Sequence, residues 1–420
     1  MIETISLRPG ITLRCCRDDR FKQGCLTVQL LRPMCAEEAA LNALLPAVLL
    51  RGTEVHPDLR SITQALDDLY GASVSTLVRR IGDIQTVGLY CGFLEDRFAL
   101  PGDRILEPFI ALLEELLFRS PLENGGFLPQ FVESEKRNLV ATVESELNNK
   151  QAYAMTRMVR SMCEGDSFAV PRLGEKAAIE AITPRSLREH YDRILSSSPI
   201  EFFFVGSAES HQVAALLEPL LNRLPQGERI IPAQLPLKTN APADFSETMD
   251  LAQGKLCMGF VTPITNLHED FISMQVLNTL FGGGMTSKLF QNVREKLSLC
   301  YSVGSSYHGS KGLITVAAGI DFDKEQLCRE EIIQQLSACQ EGHISDAELN
   351  AAKEALLSAL RASLDSPGAI EGYYSTAAIS GSGRTVEAYA DAIALVTPEQ
   401  VVAAAKSVQL HTVFFLKGGG

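Results

Sequence analysis

Apolar positions in this chain form short continuous runs and longer helical stripes, and the two kinds follow one another in the same order twice. In the first half the runs 26–31, 84–93 and 200–205 predict buried strands, and 135–148 and 152–162 predict helices. Ile182-Thr-Pro-Arg-Ser-Leu187 predicts a further helix start, with Thr183 as N-cap and Pro184 at the first helical position. The second half repeats the series: strands over 255–261 and 312–320, helices over 352–365 and 373–379, and a Thr397-Pro398 helix start. A closing strand over 412–416 completes it. Thr183 matches Thr397 and Lys136 matches Lys353, an offset of about 215 residues that implies a duplicated domain rather than a solenoid repeat.

This order predicts an α+β fold of two homologous domains, each an antiparallel-leaning sheet with helices packed on one face. The stretch 224–238 is proline-rich and carries no sustained period. The expected division is therefore a domain over 1–225, a linker over 226–240 and a domain over 241–420. A chain of 420 residues with 46% hydrophobic content is long enough for two cores. The net charge of −13 argues against a nucleic-acid partner. No apolar run is long enough to span a bilayer, the N-terminus has no secretory pattern, and the ten cysteines show no C-x-x-C spacing. These features lead to the expectation of a cytoplasmic protein with reduced thiols and no membrane partner.

Candidate chemistry concentrates at Gly282-Gly283-Gly284-Met-Thr-Ser-Lys288 and the residues after it. The run lacks the G-K-[S/T] order of a phosphate loop and follows a helical segment, where a phosphate loop follows a strand. Two readings of it stand: a turn that lets an extended peptide approach the backbone, or a helix C-terminus followed by a loop. Arg294 and Tyr301 follow, seven residues apart, which is close to two helical turns and places both on one side if a helix persists. Both are donors suited to a peptide carbonyl. The plainer alternatives are an Arg294 paired with a surface carboxylate and a Tyr301 that packs in a core. Asp67 and Asp68 are adjacent, so on a helix they point apart and read as a solvated face. No G-x-S-x-G occurs, and Cys15 and Cys16 have no local base.

The string from Phe281 to Val303, with its glycine run, Ser287, Arg294 and Tyr301 in order, resembles the Arg/Tyr substrate-binding element of pitrilysin/insulinase-type metallopeptidases. Leu69-Tyr-Gly-Ala72 and Phe131-Val-Glu-Ser-Glu-Lys136 extend the resemblance over essentially the whole chain. It is nearest to the zinc-less bacterial subunit group associated with elongation factor P modification. The resemblance implies a clamshell of two domains and a zinc site on an H-x-x-E-H helix ahead of a Gly-Thr pair. That pair is present as Gly52-Thr53, yet the two histidine positions hold Ala43 and Ala47 and the glutamate position holds Pro46. The remaining ligand, seven residues after Glu135, falls on Thr142. A shifted register would bring Glu144 or Glu146, still without histidine partners, and His56 with Glu54 reads as a solvated loop. The expectation is therefore no catalytic residue, no metal and no cofactor in this chain.

The role this resemblance implies is a non-catalytic subunit of a heterodimeric zinc peptidase. Arg294, Tyr301, Gly282, Gly283 and Gly284 would bind a peptide or unfolded protein substrate, and zinc would come from a paralogous partner chain. Self-association of the isolated chain as a homodimer stays open. Two alternatives of other classes stand beside it: a peptide-binding or scaffold protein with no proteolytic role, and a metallopeptidase with an irregular site.

Overall fold

In the computed structural model, which describes residues 2–419, the first half of the chain supplies strands β1 (Ile2–Arg8), β2 (Ile11–Arg17), β3 (Gln23–Pro33), β4 (Ser73–Ile81), β5 (Ile84–Leu94) and β6 (Ile200–Gly206). Its main helices are α1 (Ala36–Leu49), α2 (Leu59–Asp68), α3 (Leu106–Phe118), α4 (Pro129–Asn148), α5 (Lys150–Met162), α6 (Pro184–Ser197) and α7 (Ser210–Leu221). The second half supplies β7 (Ala243–Met249), β8 (Gly254–Val261), β9 (Cys300–His308), β10 (Leu313–Ile320) and β11 (Gln409–Gly418). It also supplies α8 (Phe271–Gly282), α9 (Glu325–Gln340), α10 (Asp346–Ala362), α11 (Pro367–Ile379), α12 (Val386–Leu395) and α13 (Pro398–Lys406). Met1 and Gly420, the outer ends of the two expected domains, lie outside the described residues.

The duplication is visible in the sheets. The first has the order β1-β2-β6-β3-β5-β4 and the second β7-β11-β8-β10-β9, so five strands correspond one to one. In each, a single parallel pair occupies the same place: β2 with β6, where Leu13 faces Phe202, and β7 with β11, where Phe245 faces Phe414. Every other pairing is antiparallel. The two Thr-Pro starts cap α6 and α13 in the same way. Thr183 accepts from the Ser186 backbone N–H and Thr397 from that of Gln400, each in a reciprocal capping box.

The compact units do not follow the linear division. The first contains the residues up to Glu144, Val170–Gln234 and Leu364–Thr376. The second contains Ser145–Ala169, Leu235–Ser363 and Ala377–Gly420. Each unit thus takes one helical segment from the other half of the chain, and that segment covers a sheet face the local helices leave open. In the first unit α1, α3, α6 and α7 cover one face, with Leu44, Phe109, Phe202 and Leu217 in the core. Ile370, with Leu364 and Tyr374, covers Cys16, Cys25, Phe203 and Val205 on the other. In the second unit α5 lays Ala154, Met158 and Met162 over Cys257, Phe414 and Leu416. Gly259 permits that approach, because a Cβ there would lie 2.6 Å from Met162 Sδ and 2.8 Å from Met158 Sδ.

Buried charge fixes each exchanged segment. Glu371 on α11 is fully buried; it accepts from Arg79 Nη2 at 2.8 Å and Nη1 at 3.0 Å, and from Gln29 Nε2 at 3.0 Å. In the second unit Asp166 pairs with the buried Lys311 at 3.1 Å and also accepts from the backbone N–H groups of Phe168 and Lys238. A third polar cluster joins α1 to α6. His190 Nδ1 lies 2.8 Å from Arg193 Nη2 and its Nε2 lies 2.7 Å from Asn42 Oδ1, while Glu38 takes Arg32 and Arg193. A guanidinium only donates, so Nδ1 is the acceptor and the neutral ring donates through Nε2. Among the described residues no helix is long and apolar enough to cross a membrane.

Two outcomes are expected. Lys311→Met, which leaves Asp166 buried without its cation, lowers the free energy of unfolding by about 3 kcal/mol, measured by denaturant titration. Burial, with Arg193 and Arg32 nearby and against the opposing pull of Glu38, takes His190 from its ordinary 6.5 down to about 4. The unfolded chain therefore binds the extra proton between these values, and stability present above pH 6.5 is lost as the pH falls toward 4. The loss is on the order of 2–3 kcal/mol, and His190→Gln, which takes up no proton, flattens that part of the profile.

Candidate functional site

The positions matching the zinc motif lie on α1, in the first unit. Ala43 and Pro46 are buried and Ala47 is half-buried, within a helix whose neighbours Leu44, Leu45, Val48 and Leu49 belong to the core. Pro46 sits in the last turn, where it forgoes one backbone hydrogen bond, to the Asn42 carbonyl, and the helix still runs on to Leu49. Thr142 on α4 is exposed and its hydroxyl donates back to the Asn138 carbonyl at 2.9 Å. Glu135 is taken by Arg51 at 3.3 Å, and Glu144 by Lys176. His56 is half-buried and pairs with Glu115 rather than Glu54: its Nδ1 lies 2.7 Å from Glu115, which also accepts from Thr53. That correction gives the Gly-Thr turn a structural use.

Hydrocarbon at three positions and a back-bonded hydroxyl at the fourth do not fit a zinc ion. Among the described residues, no group of three or more His, Cys, Asp or Glu side chains is arranged to hold a metal. Asp67 and Asp68 are exposed at the end of α2, as a solvated face requires.

The second unit carries the Arg/Tyr element. Gly282 is the buried last residue of α8; a Cβ there would come within 2.6–2.8 Å of Ser305 on β9. Its bareness serves that packing, and the exposed turn consists of Gly283 and Gly284. Ser287 then donates to the Gly284 carbonyl at 2.6 Å, and the buried Lys288 pairs with Glu348 at 2.6 Å, pinning the start of the next segment.

That segment, Leu289–Lys296, is a π-helix. The Leu297 N–H reaches the Asn292 carbonyl, five residues back, at 3.0 Å, and Ser298 ends the winding with φ +51. Arg294 lies half-exposed with its guanidinium 4.6 Å from the Phe290 ring centroid and 3.6 Å from Glu295. The helix does not persist to Tyr301, so the seven-residue spacing works by another route.

Tyr301 is the extra residue of a β-bulge at the start of the edge strand β9. The pairing steps from Cys300 opposite Ile320 to Ser302 opposite Gly319 and leaves Tyr301 without an opposite number. Bulges bend a strand end and re-aim a side chain. Tyr301 is 60% exposed, and its hydroxyl donates to Asp321 Oδ1 at 2.9 Å. The other oxygen, Oδ2, receives Lys324 Nζ at 2.9 Å, and Lys324 also donates to the Ser298 carbonyl at 3.2 Å. The turn carrying Arg294 and the bulge carrying Tyr301 thus meet at the head of one strand.

Cys300, beside the bulge, is held below the usual thiol range by a hydrogen bond from Cys328 and by the charges of Arg294 and Lys324. Burial instead pushes Cys15, Cys25, Cys257 and Cys339 up to about 12. Sequence reasoning missed Phe290, Asp321 and Lys324. Phe290 stands four residues before Arg294 and was findable as a stacking partner on a helix; Asp321 and Lys324 reach the site only through the β9–β10 pairing.

Residues 181–356 match the family description Peptidase M16 inactive domain. The chain is 30% identical over 416 residues to "Probable inactive metalloprotease YmfF" of Bacillus subtilis (strain 168), an alignment covering 99% of this chain and 98% of that one. Its fold superposes on the crystal structure of a conserved protein from Enterococcus faecalis V583 with TM-score 0.91 and 26% identity, over 100% of this chain and 99% of the other. It superposes on a peptidase M16 inactive domain from Pseudomonas fluorescens with TM-score 0.82 and 16% identity, over 100% and 98%. With zinc-motif positions that cannot ligate and a full-length relative of this kind, the chain belongs to the peptidase M16 family, among its inactive homologues.

Proposed function

We propose that this chain is the peptide-binding, non-catalytic subunit of a two-chain zinc peptidase in the cytoplasm. A paralogous chain with an intact H-x-x-E-H helix would supply zinc and the attacking water. The observation that carries the reading is the asymmetry between the two motifs. The zinc positions are filled by Ala43, Pro46 and Ala47, whereas Arg294 stays half-exposed on the π-helix and Tyr301 exposed at the head of the edge strand.

A guanidinium and a phenol stabilise a peptide carbonyl by donation, and neither needs a metal in its own chain. Phe290 supports this role by holding the guanidinium over its ring, which reduces the freedom lost when Arg294 engages a ligand. Exposed Gly284, where an added Cβ would meet nothing within 4 Å, leaves the neighbouring backbone open to an extended chain, while Gly283 lets that turn pack against Thr279. The half-exposed Arg294 forms a 3.6 Å ion pair with exposed Glu295, a surface contact weak enough for a ligand carbonyl to compete with.

The test is co-expression with an H-x-x-E-H paralogue and turnover of fluorescein-labelled denatured casein. Arg294→Ala is expected to leave assembly by size exclusion unchanged while lowering kcat/KM by roughly 10- to 100-fold. Unchanged turnover in a folded, assembled variant would overturn the reading. Arg294-dependent casein binding without turnover by any such complex would favour the binding or scaffold role instead.

A further inference from the structure

Asp321 occupies the one donor that Tyr301 has. A phenol carries a single O–H, and here it points to Asp321 Oδ1, so the hydroxyl presents only acceptor lone pairs to an incoming peptide. The carboxylate is in place because the fold puts it there. Asp321 is the first residue after β10, whose last residue, Ile320, pairs with Cys300, and the bulge turns Tyr301 toward that strand end. Lys324 sits one turn on and holds the second carboxylate oxygen while donating to the Ser298 carbonyl, so Asp321 keeps a counter-charge when Tyr301 leaves. Arg294 is held more loosely, by the Phe290 ring and an exposed ion pair with Glu295 at 3.6 Å.

From this geometry we infer that Asp321 is a built-in competitor for the Tyr301 hydroxyl, a latch that a peptide carbonyl must displace before Tyr301 can grip it. The inference rests on the reading of Arg294 and Tyr301 as the peptide grip, and it adds an order to that grip. Arg294 engages first, and Tyr301 follows when its O–H turns from Asp321 to the peptide carbonyl, exchanging one hydrogen-bond acceptor for another with no covalent bond made or broken. Asp321 is thereby a positioning residue, since it acts on the ligand only through Tyr301. The same contact raises the phenol above its ordinary titration range, as donation to a carboxylate does.

The experiment measures binding of fluorescein-labelled denatured casein to the full-length chain by fluorescence anisotropy, beside alkaline ultraviolet titration of the tyrosines. Asp321→Ala is expected to tighten binding by about three- to tenfold, the size of one exposed charge-assisted hydrogen bond released to the ligand. The gain should vanish in the Tyr301→Phe background, as coupling through Tyr301 requires. The titration of Tyr301, isolated by difference against Tyr301→Phe, should shift to lower pH in Asp321→Ala. Asp321→Asn, which keeps an acceptor oxygen without the charge, is expected to fall between and guards against a misfolded alanine variant.

Binding unchanged or weakened in folded Asp321→Ala, or a gain that persists without the Tyr301 hydroxyl, overturns the latch. Failure of the underlying grip is read separately, from casein affinity that does not respond to Arg294→Ala.

Discussion

The organising constraint is that both sheets are apolar on two faces, while each half of the chain supplies a full helical layer for only one. Strand β3 is buried at every position from Gly24 to Arg32, and β8 at nearly every position. Such a strand is stable only when both its faces are covered. Covering the second face with a segment from the other half solves this, and each unit anchors its segment with a buried carboxylate, Glu371 in the first and Asp166 in the second. The second unit also uses methionines laid over a glycine, a flexible filling that tolerates close approach. In the first, Glu371 demands Arg79, Gln29 and Thr27 around it. A buried ion pair is weak evidence for stability by itself, but it discriminates sharply against a misplaced helix, because only one register satisfies the charge.

The same reasoning bears on α1. In a zinc peptidase of this family the metal would tie this helix to a distant ligand. Here α1 is held by leucine packing, by Glu38 and Asn42 reaching the α6 side chains, and by Arg51 reaching Glu135 on α4. Those are ordinary protein contacts, and together they position the helix without coordination chemistry.

Much of the fold was legible. Continuous apolar runs marked the central strands because those strands are buried on both faces, and the Thr-Pro starts marked α6 and α13 because cap chemistry is local. The paired order of these elements exposed the duplication. The exchange of segments was not legible, since 152–162 and 373–379 read as helices whichever sheet they cover. At the site, the Arg294 and Tyr301 motif was legible as residue types. Its geometry was not, because a seven-residue spacing was read with a 3.6-residue period. The segment is π-wound, ends at a left-handed Ser298 and passes into a bulge. Gly282 illustrates the same limit. Three adjacent glycines look equivalent in sequence, yet one is fixed by Ser305 and two lie at the surface.

What the chain leaves exposed differs in kind from what it buries. His190, in the first unit's core, is locked neutral by burial and by its partners, and burial lifts the thiols of Cys15, Cys25, Cys91, Cys257 and Cys339 far from their reactive range. Cys300 is a thiol held low, and it lies beside the Arg294 and Tyr301 element. The groups left at the head of the second sheet are donors: a guanidinium, a phenol and an ammonium, with one carboxylate among them already engaged. Donors whose neighbouring carboxylate is already engaged by a phenol and an ammonium offer hydrogen bonds to a carbonyl rather than a free general base.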